Sequence, residues 1–183
     1  MSEQHTRLVP AEEVNRKIGE IASQLLENHP DTSPLFVALL RGAAPFSSKL
    51  MLEIARQSPD YHPEIDYMMV STYGDERHAG EPHIVTDLAP STTVKDRDVI
   101  IIDDVLDKGI TTDFVTKHLQ ARGAAAIRLA VLCDKRTARE RDITADYVGF
   151  TFDDNWLVGM GMDDAQAAKE GYRWLEEIWE IKR

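Results

Sequence analysis

The stretch that decides the fold is VIIIDDVLDKGITT, residues 99–112. It opens with four β-branched apolar residues, which predict a strand buried on both faces of a sheet. Asp103 and Asp104 stand where that strand is predicted to end. The closing letters GITT lead into residues 113–122, where apolar residues have helical spacing. The stretch therefore predicts a strand, a polar turn and a helix in direct succession.

The start of this predicted helix suits a phosphate group, because the first helical turn has unpaired N–H groups and a partial positive charge. Gly109 permits close approach, while Thr111, Thr112 and Lys108 add hydrogen-bond donors. Two carboxylates beside an anion would repel it unless they bind sugar hydroxyls or a cation. The pattern indicates a ribose phosphate with Mg²⁺, and the residues alone leave open a polar strand end followed by an ordinary helix cap.

Helices and strands alternate through the rest of the chain. Helical spacing covers residues 11–28 and 45–56, and short apolar runs predict strands at residues 35–40, 65–70 and 126–133. Strands that are apolar on both faces and alternate with helices form parallel sheets. We therefore expect an α/β fold: a mostly parallel central sheet with helices on both faces and ligands at the carboxyl ends of the strands.

Two segments differ from this alternation. STYGDERHAGEPH is rich in Gly, His and charge, and it predicts a mobile loop or hairpin at about residues 72–84. The later runs YVGFTF and NWLVGMG are predicted to add short strands near the ligand-binding edge of the sheet.

The composition is that of an ordinary globular protein. A chain of 183 residues with 43% hydrophobic and 29% charged residues is expected to form one domain over residues 1–183. Its 21 Lys and Arg against 32 Asp and Glu give a net charge of −11, which would repel nucleic acid. No apolar run suits a membrane span, and the opening residues do not have the order of a signal peptide, so we expect a cytoplasmic protein without a nucleic-acid or membrane partner. The single cysteine, Cys133, is expected in the core.

Residues 99–112 resemble the motif by which type I phosphoribosyltransferases bind phosphoribosyl pyrophosphate (PRPP). The shared order is four apolar residues, two acids, two apolar residues and a D-x-G-x-T phosphate loop. The resemblance implies that Asp103 and Asp104 contact the ribose hydroxyls and that the loop cradles the 5-phosphate. The loop residues are Asp107, Lys108, Gly109, Ile110 and Thr111.

This chain departs from the motif at two positions. Asp103 stands where purine-salvage members usually have Glu, which shortens the reach to the hydroxyl by one methylene. Lys108 stands where Thr is usual, which adds positive charge suited to a phosphate. Neither change removes the chemistry of the motif.

Other segments are similar to the hypoxanthine-guanine branch of that family. LRGA, residues 40–43, is similar to the branch's pyrophosphate loop, where a cis peptide without proline turns backbone N–H groups toward pyrophosphate. This implies that Arg41 and Gly42 bind PRPP. Thr72 and Tyr73 are similar to the Ser-Tyr pair that opens the branch's mobile catalytic loop, which closes over PRPP and excludes water.

The resemblance also assigns residues to the base. Lys135 matches the lysine that recognises it, and an ammonium, which only donates hydrogen bonds, suits the O6 of a 6-oxopurine but not the amino group of adenine. YVGFTFDDNWLVGMGMDD is similar to the base-binding segment, a small hood subdomain expected at about residues 147–173. By this match Trp156 stacks on the purine, while Leu157 and Asp163 meet its edge.

The same match assigns the cofactor and the pyrophosphate contacts. It implies that Asp163 helps to hold Mg²⁺, with Asp103 and Asp104 as further metal candidates, and that Lys169 contacts pyrophosphate. Arg41, Lys169 and Mg²⁺ would then neutralise the charge that grows on the leaving group.

Asp107 is the candidate general base, because by resemblance it lies near the imidazole ring of the purine. His78 and His83 are alternative bases, although single histidines in a polar loop are usually exposed to solvent.

The implied activity is purine salvage: transfer of the phosphoribosyl group from PRPP to hypoxanthine or guanine, or both, by a homodimer or homotetramer. Three alternatives stay open at this point. They are a xanthine-preferring enzyme, a PRPP-sensing regulator of the same fold that binds RNA, and a nucleotide-binding protein without turnover.

Overall fold

The computed structural model describes residues 4–30, 32–72 and 81–182. Among these residues there are three α-helices: α1 (Ala11–Asn28), α2 (Ala44–Gln57) and α3 (Ile110–Ala121). The strands in the same residues are β1 (His5–Val9), β2 (Leu35–Leu40), β3 (Glu64–Ser71), β4 (His83–Thr86), β5 (Asp98–Leu106), β6 (Ala126–Lys135), β7 (Tyr147–Phe152), β8 (Leu157–Val158) and β9 (Ile178–Ile181).

The main sheet has six strands in the order β4-β3-β2-β5-β6-β7. Every neighbouring pair is parallel except β4 with β3, which is antiparallel. This confirms the predicted mostly parallel sheet. The segment expected to form a loop or hairpin after β3 ends in strand β4, which pairs back with β3, since Ile84 lies opposite Val70.

Helices cover both faces of this sheet, as predicted. Helices α1 and α2 pack on one face, where Ile18 and Phe46 join a core with Ile100 and Ile102. Helix α3 packs on the other face through residues such as Val115. Successive side chains of a strand point to opposite faces, so the unbroken apolar run of β5 supplies both cores.

The central strand is longer than its apolar run predicted. β5 continues to Leu106, because Val105 and Leu106 still pair with Cys133 and Asp134 of β6. The expectation that the strand ends before Asp103 is therefore wrong. A strand can carry polar residues where its end faces a cleft rather than a core, and the pairing with β6 still includes Asp103, which lies opposite Val131.

A second, three-stranded antiparallel sheet has the order β1-β9-β8, and only β8 comes from the segment 147–173 that was expected to form the small subdomain. It joins distant parts of the chain, since His5 pairs with Ile181 and Leu157 with Glu180. YVGFTF forms the predicted strand, β7, which is the outermost strand next to β6 in the main sheet. NWLVGMG supplies the predicted short strand, β8, which belongs to the second sheet.

No α-helix in the described parts of the chain is both long and apolar enough to cross a membrane.

Candidate active site

The phosphate loop follows β5 directly and leads into α3. Gly109 has a φ of +81°, a left-handed conformation that favours glycine, and it caps the helix. The helix begins at Ile110, three residues earlier than predicted, because the N–H of Asp113 already donates to the Gly109 carbonyl at 2.9 Å. The free N–H groups of the first turn therefore belong to the loop itself, as a phosphate cradle requires.

This loop lines a cavity of about 350 Å³. Asp103 lies on its wall, and Thr72 borders it from the end of β3. The other lining residues are Val105, Asp107, Lys108, Gly109, Ile110, Thr111 and Thr112. The structure thus brings Asp103, Thr72 and the whole predicted loop together, whereas Tyr73 and His78 lie outside the described residues.

Asp103 and Asp104 are adjacent carboxylates in a region of low exposure. Burial raises the pKa of Asp103 well above its usual value, and the neighbouring Asp104 charge raises it further. Burial also raises the pKa of Asp104, partly offset by hydrogen bonds and by the positive charge of Arg173. Two carboxylates in such a position are stabilised by a ligand that donates hydroxyls or brings a cation.

The loop after β2 packs directly on the acid pair. The peptide bond between Leu40 and Arg41 is cis, as the resemblance implies. A Cβ atom placed on Gly42 would lie 2.4 Å from a carboxylate oxygen of Asp104, so only glycine fits there. Gly161, with a φ of +111°, packs closely on the loop after β2, because a Cβ atom placed on it would lie 1.8 Å from the Gly42 carbonyl oxygen.

A second cavity of about 180 Å³ lies beside the first, and it contains the residues that the resemblance assigns to the base. Lys135 is its buried cation, with a side chain that is 9% exposed. Trp156 is 42% exposed, which shows that this aromatic is not part of the core. The complete lining consists of Asp104, Val105, Asp107, Lys135, Trp156, Leu157, Met162 and Asp163.

Asp107 and Val105 line both cavities. An Asp107 carboxylate oxygen lies 3.7 Å from the Lys135 ammonium nitrogen, so its charge faces the base side while its backbone begins the phosphate loop. A group held between the two cavities would therefore meet the Asp107 carboxylate.

The carboxylates at this site fit Mg²⁺ in part. Asp104 and Asp163 line the same cavity, whereas Asp103 lies on the wall of the other. Across the described ranges, no three His, Cys, Asp or Glu side chains cluster as a preformed metal site. This donor set agrees with the habit of Mg²⁺, which is usually held by one or two carboxylates together with water and substrate phosphates.

Of two predicted phosphate ligands, Lys108 pairs with another residue in this structure, and Lys169 lies outside the two cavity linings. The Lys108 ammonium lies 2.6 Å from Glu140, and this pairing raises the Lys108 pKa. Lys169 is exposed on the turn between Asp164 and Arg173 and is not among the residues that line the two cavities. His83, the other alternative base, is exposed on β4.

Sequence reasoning did not find two residues beside the site, Glu170 and Arg173. Arg173 is buried and donates to the Gly161 carbonyl, to Glu170 and, at 2.9 Å, to Asp163. Glu170 also accepts a hydrogen bond from Arg41. These contacts span up to 129 residues of sequence and no local motif marks them, so a single sequence offers no signal for them.

Residues 5–165 match the family model described as the phosphoribosyl transferase domain. The chain belongs to this family. Within the family, it is 38% identical over 176 residues to a hypoxanthine-guanine phosphoribosyltransferase of Bacillus subtilis, which covers 96% of this chain and 92% of that protein. The corresponding enzyme of Streptococcus mutans is 37% identical over the same shares of the two chains.

The fold of this phosphoribosyltransferase also resembles that of hypoxanthine phosphoribosyltransferases. A crystal structure of a hypoxanthine phosphoribosyltransferase from Staphylococcus aureus superposes with a TM-score of 0.85 at 33% identity, over 97% of this chain and 91% of that one. The chain is therefore a member of the hypoxanthine-guanine branch, as its motifs indicated.

Proposed function

We propose that this protein transfers the 5-phosphoribosyl group from PRPP to hypoxanthine or guanine, or both, forming the nucleotide and pyrophosphate. One observation carries the proposal. The phosphate cavity and the cavity with Lys135 and Trp156 share a wall made of Val105 and Asp107. A ribose in the first cavity and a base in the second would thus meet at Asp107.

Each cavity supplies one recognition step. On the phosphate side, the N–H groups at the start of α3 bind the 5-phosphate, and the ribose hydroxyls bind Asp103 in this cavity and Asp104 in the other. On the base side, the Lys135 ammonium donates to the purine O6, and Trp156 stacks on the ring with Leu157 at its edge. Because Lys135 is nearly buried, an adenine amino group would leave its donors unpaired, which disfavours adenine.

The proposed chemistry needs help for the leaving pyrophosphate and for the incoming base. Arg41 and the backbone around Gly42 stabilise the negative charge that develops on pyrophosphate, with Lys169 as a further cation. Asp107 accepts the proton from the purine imidazole ring as the ring nitrogen bonds to the ribose. Asp163, with Asp103 or Asp104, would hold Mg²⁺, which when bound would further neutralise the pyrophosphate charge.

We infer a homodimer or homotetramer, as the resemblance implies. PRPP is a highly charged metabolite that does not cross a bilayer unaided, so an enzyme that consumes it belongs in the cytoplasm.

The test is to offer the protein hypoxanthine, guanine, xanthine, adenine and uracil separately, each with PRPP and Mg²⁺, and to measure nucleotide and pyrophosphate. We expect hypoxanthine or guanine to be turned over in strong preference to adenine and uracil. Preferred turnover of xanthine would change the substrate assignment. PRPP binding without turnover of any base would refute the proposed activity.

A further inference from the structure

The pyrophosphate loop and the hood are joined by a chain of charged side chains. Arg41 donates to one carboxylate oxygen of Glu170, and Arg173 donates to the other. Arg173 is itself fixed by Asp163 and by the Gly161 carbonyl. Glu170 therefore binds Arg41, the cation that the proposed function assigns to pyrophosphate. Arg173 fixes Glu170 in that position.

Glu170 is built into this position by its backbone. Its φ is +63°, a left-handed conformation that glycine or asparagine adopts more readily than glutamate. The turn around it is closed by hydrogen bonds from Asp164 N to Gly171 O and from Gly171 N to Ala168 O, each 2.9 Å long. The turn therefore fixes the point at which the Glu170 side chain leaves the backbone.

The charge of Glu170 persists in this environment. Hydrogen bonds from Arg173 and then from Arg41 lower the pKa of its carboxyl, so it remains an anion at neutral pH. Its side chain is 27% exposed and that of Arg41 is 57% exposed, so a ligand from solvent can reach this pair. A pyrophosphate group that binds Arg41 must displace the Glu170 carboxylate, which is also negatively charged.

We propose that Glu170 is an internal competitor for pyrophosphate: it occupies Arg41 in the free enzyme, yields it to the pyrophosphate group of PRPP, and takes it back as pyrophosphate leaves. Arg173 is the positioning residue that keeps Glu170 within reach throughout. The inference rests on the proposed function, because it takes Arg41 to be a pyrophosphate ligand. It predicts that Glu170 weakens pyrophosphate binding and hastens its release.

The experiment compares the wild type with Glu170→Gln by titrating Mg²⁺-pyrophosphate in a calorimeter. We expect Glu170→Gln to bind pyrophosphate about 3- to 10-fold more tightly, since partly exposed ion pairs of this kind have modest strength. Raising the salt concentration should reduce the difference. Unchanged or weaker binding by a variant with normal thermal stability would overturn the inference.

Two further variants separate this contact from a general effect of charge. Glu176→Gln removes the same charge from the same segment, but Glu176 pairs with Lys49 at 3.3 Å, so we expect binding within twofold of the wild type. In an Arg41→Met background, Glu170→Gln should change the affinity by less than twofold, because the contested cation is gone. An equal gain from Glu176→Gln, or a full gain without Arg41, would refute competition for Arg41.

The wild type and the Arg41→Met variant separate a failure of the proposed function from a failure of the inference about Glu170. If it binds neither PRPP nor pyrophosphate, the proposed function fails and this inference fails with it. If it binds both, and Arg41→Met weakens binding while Glu170→Gln has no effect, only the inference about Glu170 is wrong.

Discussion

At the scale of single residues, Asp107 has the most informative position. It is the first residue of the phosphate loop, it borders both cavities and it lies 3.7 Å from Lys135. Sequence resemblance named it as the general base, and the geometry is compatible with that role because a reacting ring nitrogen would pass between the cavities. The assignment stays a prediction until kinetics test it.

Replacing Asp107 with Asn should lower kcat about 10²- to 10⁴-fold, the usual contribution of a general base, with little change in PRPP affinity. The amide keeps the size of the side chain but accepts no proton. Steady-state kinetics and equilibrium PRPP binding measure the two effects separately. An unchanged kcat would remove Asp107 from this role.

Replacing Lys135 with Met should lower kcat/KM for hypoxanthine about 10- to 100-fold, because a nearly buried charged donor is lost. The apolar chain of Met fills much of the same space. The rate with adenine should not fall in parallel, so the ratio of the two specificity constants is the decisive measurement. A parallel fall for both bases would indicate a structural defect instead.

At the scale of elements, the sequence predicted the units that are built from local pattern. The unbroken apolar runs located β2, β5 and β6, and helical spacing located α1 to within a residue. The ends of β5 and β6 were predicted too early, since pairing between the two strands outlasts their apolar runs. Strands β1 and β9 were not predicted, because they are short and pair across almost the whole chain.

The contact between the hood and the pyrophosphate loop depends on Gly161. We expect Gly161→Ala to lower the free energy of unfolding by about 2–4 kcal/mol and to weaken PRPP binding, because its φ is +111° and the new methyl would clash with the Gly42 carbonyl. Chemical denaturation and PRPP titration provide the measurements.

A matched control is Gly19→Ala, where the nearest atom to the new methyl is a Glu53 carboxylate oxygen at 3.3 Å, the end of a flexible side chain. Since Gly19 lies within α1, alanine there should leave stability unchanged or raise it by up to about 1 kcal/mol. A loss as large as that of Gly161→Ala would contradict the proposed importance of the hood contact.

At the scale of the whole molecule, one buried histidine should make folding depend on pH. Burial lowers the pKa of His29, and the charge of Arg128 lowers it further. As the pH falls through about 6.5, His29 binds a proton in the unfolded chain but not in the folded protein. The free energy of unfolding therefore decreases below that pH. We expect His29→Gln to lose less stability than the wild type between pH 7.5 and 5.5, measured by urea unfolding. Identical losses would show that His29 does not contribute.

The shared wall between the two cavities also sets a rule for inhibitors. A compound that carries a flat oxopurine at one end and a phosphonate at the other, joined by an uncleavable spacer of ribose length, would engage both cavities at once. Binding of its second end becomes intramolecular, so its affinity should exceed that of either fragment by about 10²- to 10⁴-fold. A compound whose spacer is too short to reach around Val105 and Asp107 would bind only one cavity, so the gain in affinity would be lost.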